Sequence, residues 1–256
     1  MNWSIRLLIA ACLLSFGFSA SAQCGGKERW AVKDGTDPEA TSVDLSNPIP
    51  KTVAELVNLH RPKIPRDNTT RIVPDETRIY KVHAYLVKWK KEAGDGGDSD
   101  YHLVLSDETR KYTLAKARKP SEHSFVGEIP DPDCLAGRHG DFGSESPFLP
   151  ASDTAPLSIR TARKALEEKF PDADLDGNWN NARGIPVDVI GVGFFDVAHG
   201  QAGLAKNHIE LHPILAISFE DQVHASIASP GANIRANTGG RHAARNRRVS
   251  VGANEK

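Results

Sequence analysis

The sequence predicts a mainly β protein with one long helix, an α+β fold in which the helix interrupts a series of strands. Three strand-like segments come first, between Glu76 and Ile129, and a helical segment follows at Pro156–Phe170. Two further strand-like segments close the series between Pro186 and Phe219. The order β-β-β-α-β-β is that of an OB-like five-stranded barrel. An open α+β sheet with the same element order is the alternative.

The first three strands are predicted from the alternation of apolar and polar residues. This alternation is clearest in the first segment, Glu76–Lys91, and it recurs in the second, Asp98–Ser106. A third extended region begins at Lys111–Ala117, is interrupted, and resumes at Ser124–Ile129. Together these segments supply the first half of the sheet.

The second half combines the helix with two strands of unusual composition. Apolar residues recur at helical spacing through Pro156–Phe170. In the next strand, Gly191 and Gly193 favour a bulge, strong coiling or close backbone approach. In the last strand, Ile209–Phe219, Pro213 indicates a bulge or an edge position.

Composition divides the chain of 256 residues into four parts. Residues 1–22 read as a signal peptide, and residues 23–75 as a mostly irregular N-terminal extension with one short helix near Thr52–His60. In that helix Thr52 and Glu55 have the spacing of a capping box. Residues 76–219 form the OB-like domain. Residues 220–256 lack aromatic residues and periodicity, so we expect a disordered basic tail.

The N-terminus indicates export to the periplasm or the medium. Arg6 precedes a short apolar run, and Ala20-Ser21-Ala22 has the small residues of a cleavage site. A membrane anchor is the alternative, but the run is shorter than the ~20 residues that a span requires. A lipoprotein box at Ile9 to Cys12 is a second alternative, and it lies too early in the run. We expect cleavage after Ala22 and no transmembrane segment in the mature chain.

Cleavage would leave two cysteines, Cys24 and Cys134. In an exported protein two cysteines favour one disulfide, and two free thiols are the alternative.

The charge of the chain gives little reason to expect a nucleic-acid partner, because residues 23–219 hold 25 basic and 30 acidic residues. We expect a monomer with an unknown ligand.

Four stretches resemble a family of bacterial exported proteins of unassigned function. They are ERWAVKDGTD (Glu28–Asp37), DYHLVLSD (Asp100–Asp107), EIPDPDC (Glu128–Cys134) and GVGFFDVAHGQAGLAKNHIELHPIL (Gly191–Leu215). The resemblance covers most of the mature chain up to about Phe219. It implies export and a single domain, and it implies no reaction.

Histidines and carboxylates within these stretches are candidate ligands of a divalent metal, either zinc or manganese. The main candidates are Asp196, His199, Glu210 and His212. Asp100, His102 and Glu128 are additional site candidates, because several strands can carry them to the same face. No HExxH, CxxC or EF-hand spacing supports the metal hypothesis. In the alternative interpretation, Asp196 and His199 only stabilise their loop, and Glu210 and His212 are solvated.

Three classes of function follow. The first is a binding module for an oligonucleotide, an oligosaccharide or an envelope component, with Tyr85, Lys88 and Trp89 on the ligand face. A solvated strand end explains the same residues. The second is a metal-dependent hydrolase, such as a phosphodiesterase, that uses the His/carboxylate site. The third is a structural interaction protein. Covalent catalysis is not expected, because GxSxG is absent.

Overall fold

The computed structural model describes residues 29–65, 68–92, 98–107, 119–135, 146–152 and 154–220. Among these residues, no helix is both long and apolar enough to span a bilayer. The predicted signal peptide, the extended region at Lys111–Ala117 and the basic tail lie outside the described residues. So does Cys24, and the predicted disulfide with the buried Cys134 therefore stays a prediction.

Six strands form one mixed sheet, which confirms the mainly β prediction. They are β1 (Asp44–Lys51), β2 (Arg78–Lys91), β3 (Tyr101–Ser106), β4 (Ser124–Ile129), β5 (Asn180–Phe195) and β6 (Ile209–Phe219). Their order is β1-β2-β3-β4-β6-β5, and β5 pairs with β2 as well. The pairing of the last five strands therefore runs in a ring. The β1–β2 and β4–β6 pairs are parallel, and the other pairs are antiparallel.

Strand β2 alternates as predicted in its first half and then changes register. Val82, Ala84 and Leu86 are buried in the core. A register shift between Leu86 and Lys88 then inserts one extra residue opposite β3. Because a bulge reverses the alternation that follows it, Trp89 joins the buried set and packs 5.2 Å from the ring of Tyr101.

The glycines and the proline of the last two strands mark a bulge, as the sequence predicts. The β5–β6 register shifts on both sides of Gly191. A Cβ atom at Gly191 would lie 2.9 Å from the carbonyl oxygen of Pro213, and one at Gly193 would collide with the carbonyl oxygen of Asp75. The β6 strand is paired on both sides, so Pro213 occupies a bulge and not an edge.

The long helix, α3 (Ile159–Lys169), covers the core beside β6. Its N-terminus is capped by Ser158, whose hydroxyl accepts a hydrogen bond from the Thr161 amide at 3.1 Å. Ile159, Ala162 and Leu166 are buried. They join an apolar interior that includes, among fully buried large side chains, Trp89, Tyr101, Phe125, Phe148, Phe195 and Phe219.

The N-terminal segment is more regular than the sequence predicts. It contains α1 (Trp30–Asp34), β1 and α2 (Val53–Leu56), with 3-10 turns at Ala40–Ser42 and Asp75–Thr77. The capping box of α2 is present as predicted, since the Thr52 amide donates to Glu55 and the Glu55 amide donates to Thr52. The β1 strand, however, was predicted to be irregular. Its sequence, DLSNPIPK, holds two prolines and no clear alternation, and its pairing with β2 comes from the tertiary structure.

Two buried ion pairs fix α1 against the sheet. The Arg29 guanidinium donates to both oxygens of Glu76, at 2.7 and 2.6 Å. Glu76 in turn accepts the backbone amide of Phe195 at 2.8 Å. Arg71 and Asp37 form a second two-point pair, at 3.1 and 2.6 Å. Such two-point pairs hold a defined geometry, and α1 therefore reaches the end of β5 in one fixed orientation.

Candidate metal centre

Polar side chains from neighbouring strands share one face of the sheet, on the side opposite the main core. On β3 and β4, His102 lies directly opposite Glu128 in the antiparallel register. On β6, which runs parallel to β4 at this point, Glu210 and His212 lie one residue either side of the core residue Leu211. Because side chains alternate along a strand, all four polar side chains emerge on the same side.

Three further residues complete the cluster from outside the strands. Asp100 immediately precedes β3, Asp196 immediately follows β5, and Lys33 enters from α1. None of the seven residues in the cluster is more than 8% exposed. The sequence predicted six of them as site residues, and the fold brings those six together.

The tightest group in the cluster is formed by Asp100, Glu128 and His212. One ligand atom from each residue lies within 4.8 Å of the other two. The Nδ1 atom of His212 is 2.7 Å from Oε2 of Glu128, and its Nε2 atom is 3.6 Å from Oδ2 of Asp100. We call these three residues the His212 site.

Close approach at the His212 site is not matched by hydrogen bonding. Among the described residues, neither ring nitrogen of His212 has a hydrogen-bond partner, and neither has Oδ2 of Asp100. The Glu128 oxygen lies close enough to Nδ1 for an ion pair. Buried polar atoms almost always have hydrogen-bond partners. The ring nitrogens of His212 and Oδ2 of Asp100 are exceptions, and they lie as close together as the ligands of a metal ion.

A second group lies on the other side of Glu128. Nδ1 of His102 is 2.9 Å from Oε1 of Glu128 and 3.7 Å from Oε1 of Glu92. Nε2 of His102 is 2.7 Å from the carbonyl oxygen of Ala202. Ligand atoms of Glu92, His102 and Glu128 also lie within 4.8 Å of one another. We call this group the His102 site, and Glu128 belongs to both sites.

Asp196 and Glu210 form a third, adjacent pair. The side-chain amide of Gln201 donates to Oδ2 of Asp196 at 3.0 Å and to Oε1 of Glu210 at 3.2 Å. Oδ1 of Asp196 and Oε2 of Glu210 have no hydrogen-bond partner among the described residues. Burial, reinforced by the charges of Asp196 and Glu128, raises the pKa of Glu210 well above its usual value.

Positive charge in the cluster comes from Lys33. Its Nζ atom lies 3.8 Å from Oε2 of Glu128 and 3.8 Å from Oδ1 of Asp196. Burial lowers the pKa of Lys33, but the surrounding carboxylates outweigh burial and raise it. Burial would raise the pKa of Glu128, but Lys33 and the two histidines lower it well below its usual value. Asp100, by contrast, has a pKa raised well above the usual value by burial and by Asp98 and Glu128.

The structure places the other predicted site residue, His199, at the rim. Its side chain is 50% exposed, and Nδ1 lies 3.4 Å from Oδ2 of Asp196. Nδ1 is also 3.0 Å from the carbonyl oxygen of Val197 in the same loop. His199 therefore does not converge with His212, although the sequence grouped the two histidines.

The predicted ligand face on β2 requires a correction. Trp89 is fully buried in the core, because the bulge after Leu86 turns it inward. Lys88 is 6% exposed, and its Nζ atom lies 4.8 Å from the ring of Trp179. Tyr85 is half-buried. The three predicted side chains therefore form no common exposed surface.

Sequence reasoning missed Lys33 of the cluster and two residues that contact it, Gln201 and Glu92. Lys33 and Gln201 both fall within stretches that carry the family resemblance, yet neither histidine nor carboxylate spacing points to them. Glu92 lies at the end of a charged strand, where its sequence looks like a solvated terminus. For Lys33 and Gln201 the only sequence signal is their position within the shared stretches, and Glu92 lies outside all four of them.

The loop after α3 holds part of an EF-hand pattern, and its missing last ligand is consistent with the predicted absence of EF-hand spacing. Asp172–Gly177 follows the D-x-D-x-D-G order that opens an EF-hand loop, and Gly177 has a φ of 89°. The twelfth position, however, holds Arg183 instead of glutamate. The Asp174 carboxylate already accepts hydrogen bonds from the Asp176 amide at 2.8 Å and from Asn178 at 2.9 Å. The loop therefore has half of the calcium-binding pattern and lacks its last ligand.

Comparison with known proteins adds no relative. No protein-family model, no curated protein and no solved structure matches the chain. The resemblance to exported proteins of unassigned function thus stays a prediction.

Proposed function

We propose that this protein is an exported divalent-metal-binding protein, in which Asp100, Glu128 and His212 hold the ion. The observation that carries the proposal is the convergence of ligand atoms from Asp100, Glu128 and His212 within 4.8 Å of one another in a buried site. An imidazole nitrogen and carboxylate oxygens are ligands that zinc and manganese accept. A cation among them would satisfy the atoms that the protein leaves without partners.

Charge in the cluster supports the same proposal. Of the four buried carboxylates, those of Asp100, Glu128, Asp196 and Glu210, two lie 3.8 Å from Nζ of Lys33, namely Glu128 and Asp196. Buried charges are costly unless they are paired, and the raised pKa values of Asp100 and Glu210 express this cost. A divalent ion would supply the missing positive charge and favour the ionised form of Asp100.

The architecture that carries the site is, in our proposal, an OB-like barrel. Support comes from the ring-like pairing of β2, β3, β4, β6 and β5, with α3 between β4 and β5 in the sequence. This order matches a five-stranded Greek-key barrel with an inserted helix. The N-terminal segment then covers one face of the barrel and contributes Lys33 to the site.

Zinc titration of the purified, metal-stripped protein tests the proposal by calorimetry. We expect saturable zinc binding by the natural sequence and a loss in the Asp100→Asn variant larger than the ~10–100-fold effect of an outer-shell partner. Asp107→Asn is the matched control, because Asp107 pairs with His123 away from the cluster, at 3.1 Å. No zinc binding, or equal binding by D100N, would refute the proposal.

Metal-dependent hydrolysis is a second candidate function, and the Asp196–Glu210 pair favours it. A bound metal ion generates hydroxide from water near neutral pH. Glu210, with its raised pKa, is positioned beside the ligands as a proton donor. Hydrolysis of a small phosphodiester, measured with zinc or manganese, should then fall in Glu210→Gln while metal binding persists. Activity that E210Q leaves unchanged would exclude this role for Glu210.

A further inference from the structure

The tautomer of His102 follows from its contact with the main chain. The carbonyl oxygen of Ala202, 2.7 Å from Nε2, can only accept a hydrogen bond. Nε2 of His102 therefore carries a hydrogen. Histidines that bind metals commonly donate their second nitrogen to a carbonyl in this way, which fixes the ring and directs the other nitrogen at the metal.

The opposite nitrogen of His102 faces two acceptors. Nδ1 lies 2.9 Å from Oε1 of Glu128 and 3.7 Å from Oε1 of Glu92. Ligand atoms of Glu92, His102 and Glu128 all lie within 4.8 Å of one another, so a divalent ion can bind at Nδ1 between the two carboxylates.

Glu128 presents one oxygen to each histidine. Oε1 lies on the side of His102, and Oε2 lies on the side of His212. A carboxylate placed in this way can bridge two ions, as in two-metal sites whose ions lie about 3.5–4 Å apart. Each histidine also has one further carboxylate beside it, Glu92 for His102 and Asp100 for His212.

We propose that Glu92, His102 and Glu128 form a second cation site, so that the protein binds two divalent ions bridged by the carboxylate of Glu128. The inference rests on the proposed function, since it adds an ion to the His212 site. Exposure distinguishes the two positions. The Glu92 side chain is 30% exposed, whereas the side chains of Asp100 and His212 are almost completely buried. The ion at the His102 site is therefore the one that exchanges with solvent.

A competing partner of Glu92 is present at the surface. Nζ of Lys90 lies 3.0 Å from Oε1 of Glu92, and both side chains are partly exposed. Exposed pairs of this kind contribute little free energy, about 0–1 kcal/mol. Metal binding can thus displace Lys90 at small cost, and the amide in Glu92→Gln removes a ligand from the site without disturbing the core.

Zinc stoichiometry distinguishes the two sites. Purified full-length protein is loaded with zinc, freed of excess metal, and measured by elemental analysis. We expect about two zinc ions per chain in the natural protein and about one in Glu92→Gln or Asp100→Asn. Glu122→Gln is the matched control, since the exposed Glu122–Lys206 pair at 2.9 Å resembles the Glu92–Lys90 pair but lies away from the cluster. Asp174→Asn controls for the loop at Asp172–Gly177. Both controls should keep two ions.

Other zinc stoichiometries would contradict the second site, the proposed function, or both. The natural protein could instead bind one zinc ion, which D100N loses and E92Q retains. That result would overturn the second site and leave the proposed function intact. Two ions in E92Q would place the second ion elsewhere and overturn the inference. No bound zinc would refute the proposed function and the inference with it.

Manganese loading tests the bridging carboxylate separately. Two manganese ions bridged by Glu128 should give an exchange-coupled electron paramagnetic resonance spectrum. The E92Q variant should give the spectrum of isolated ions. Two uncoupled ions in the natural protein would overturn the shared role of Glu128.

Discussion

Glu128 is the common neighbour of two histidines, with His102 Nδ1 2.9 Å from one of its oxygens and His212 Nδ1 2.7 Å from the other. The two histidines come from different strands, and each lies beside a further carboxylate. This relationship makes Glu128 the centre of the cluster. Because Glu92 lies beside His102 and Asp100 lies beside His212, removal of one of these carboxylates should affect only one of the two sites.

Zinc should stabilise the natural protein against heat. A ligand that binds only the folded state at 100 times its Kd adds about 2.7 kcal/mol. For a domain of this size that corresponds to a rise in Tm of about 5–10 °C. Differential scanning calorimetry with and without zinc measures the rise, which should be clearly smaller in D100N. Asp188→Asn, which removes the exposed His83–Asp188 contact at 2.9 Å, should keep it.

Trp89 should act as a core residue and not as a ligand contact. Its ring packs against those of Tyr101 and Phe170, at 5.2 and 5.6 Å. Trp89→Ala should therefore lower the free energy of unfolding by about 3–5 kcal/mol, as measured by urea denaturation. Tyr85→Ala, on the half-buried side of the same strand, should cost much less. Equal losses in the two variants would contradict the bulge that turns Trp89 inward.

Gly193 should tolerate no side chain. A Cβ atom there would collide with the backbone carbonyl of Asp75 and lie 2.8 Å from the ring of Tyr80. We expect Gly193→Ala to destabilise the protein by more than Gly200→Ala in urea denaturation. Gly200 has a φ of 88° but no atom near its missing Cβ, so its alanine variant isolates the backbone cost of about 1 kcal/mol. A smaller effect at Gly193 would contradict the close approach of β5 to residues 75–77.

Tyr101 should titrate late and make the folded protein less stable at alkaline pH. Burial, together with the hydrogen bond to Glu167 at 2.7 Å, raises its pKa to about 12. Since the folded pKa exceeds the unfolded value of about 10, this stabilisation is complete below pH 10 and is lost as the pH rises toward 12. Burial and the hydrogen bond to Asp75 also raise the pKa of Tyr80, so phenolate absorbance should show more than one late-titrating tyrosine, of which Tyr101→Phe removes one. Full titration of every tyrosine near pH 10 in the folded protein would contradict this environment.

Local chemistry predicts much of the fold. The alternation in β2 and β3, the capping box at Thr52 and Glu55, and the helical spacing before Phe170 all depend on neighbouring residues. The same holds for Gly191 and Pro213, whose backbone preferences predict the bulge in the last two strands. Alternation also brings Asp100, His102 and Glu128 to one face, so most of the site could be predicted.

Tertiary contacts account for what the sequence does not predict. The β1 strand has two prolines and becomes a strand because β2 offers it a parallel edge. The bulge that buries Trp89 depends on how β2 pairs with β3 and β5 together. Lys33 reaches the carboxylates only because Arg29 and Glu76 hold α1 against the sheet. No local pattern encodes that contact.

The most direct test of the metal centre is a crystal structure of the zinc-loaded protein, with anomalous data collected at the zinc absorption edge. We predict an anomalous peak among Asp100, Glu128 and His212, about 2.0–2.2 Å from nitrogen and oxygen ligand atoms. Zinc peaks confined to other places, such as the rim at His199 or the Asp172–Gly177 loop, would contradict the central claim. So would data from zinc-saturated crystals with no peak in the buried cluster.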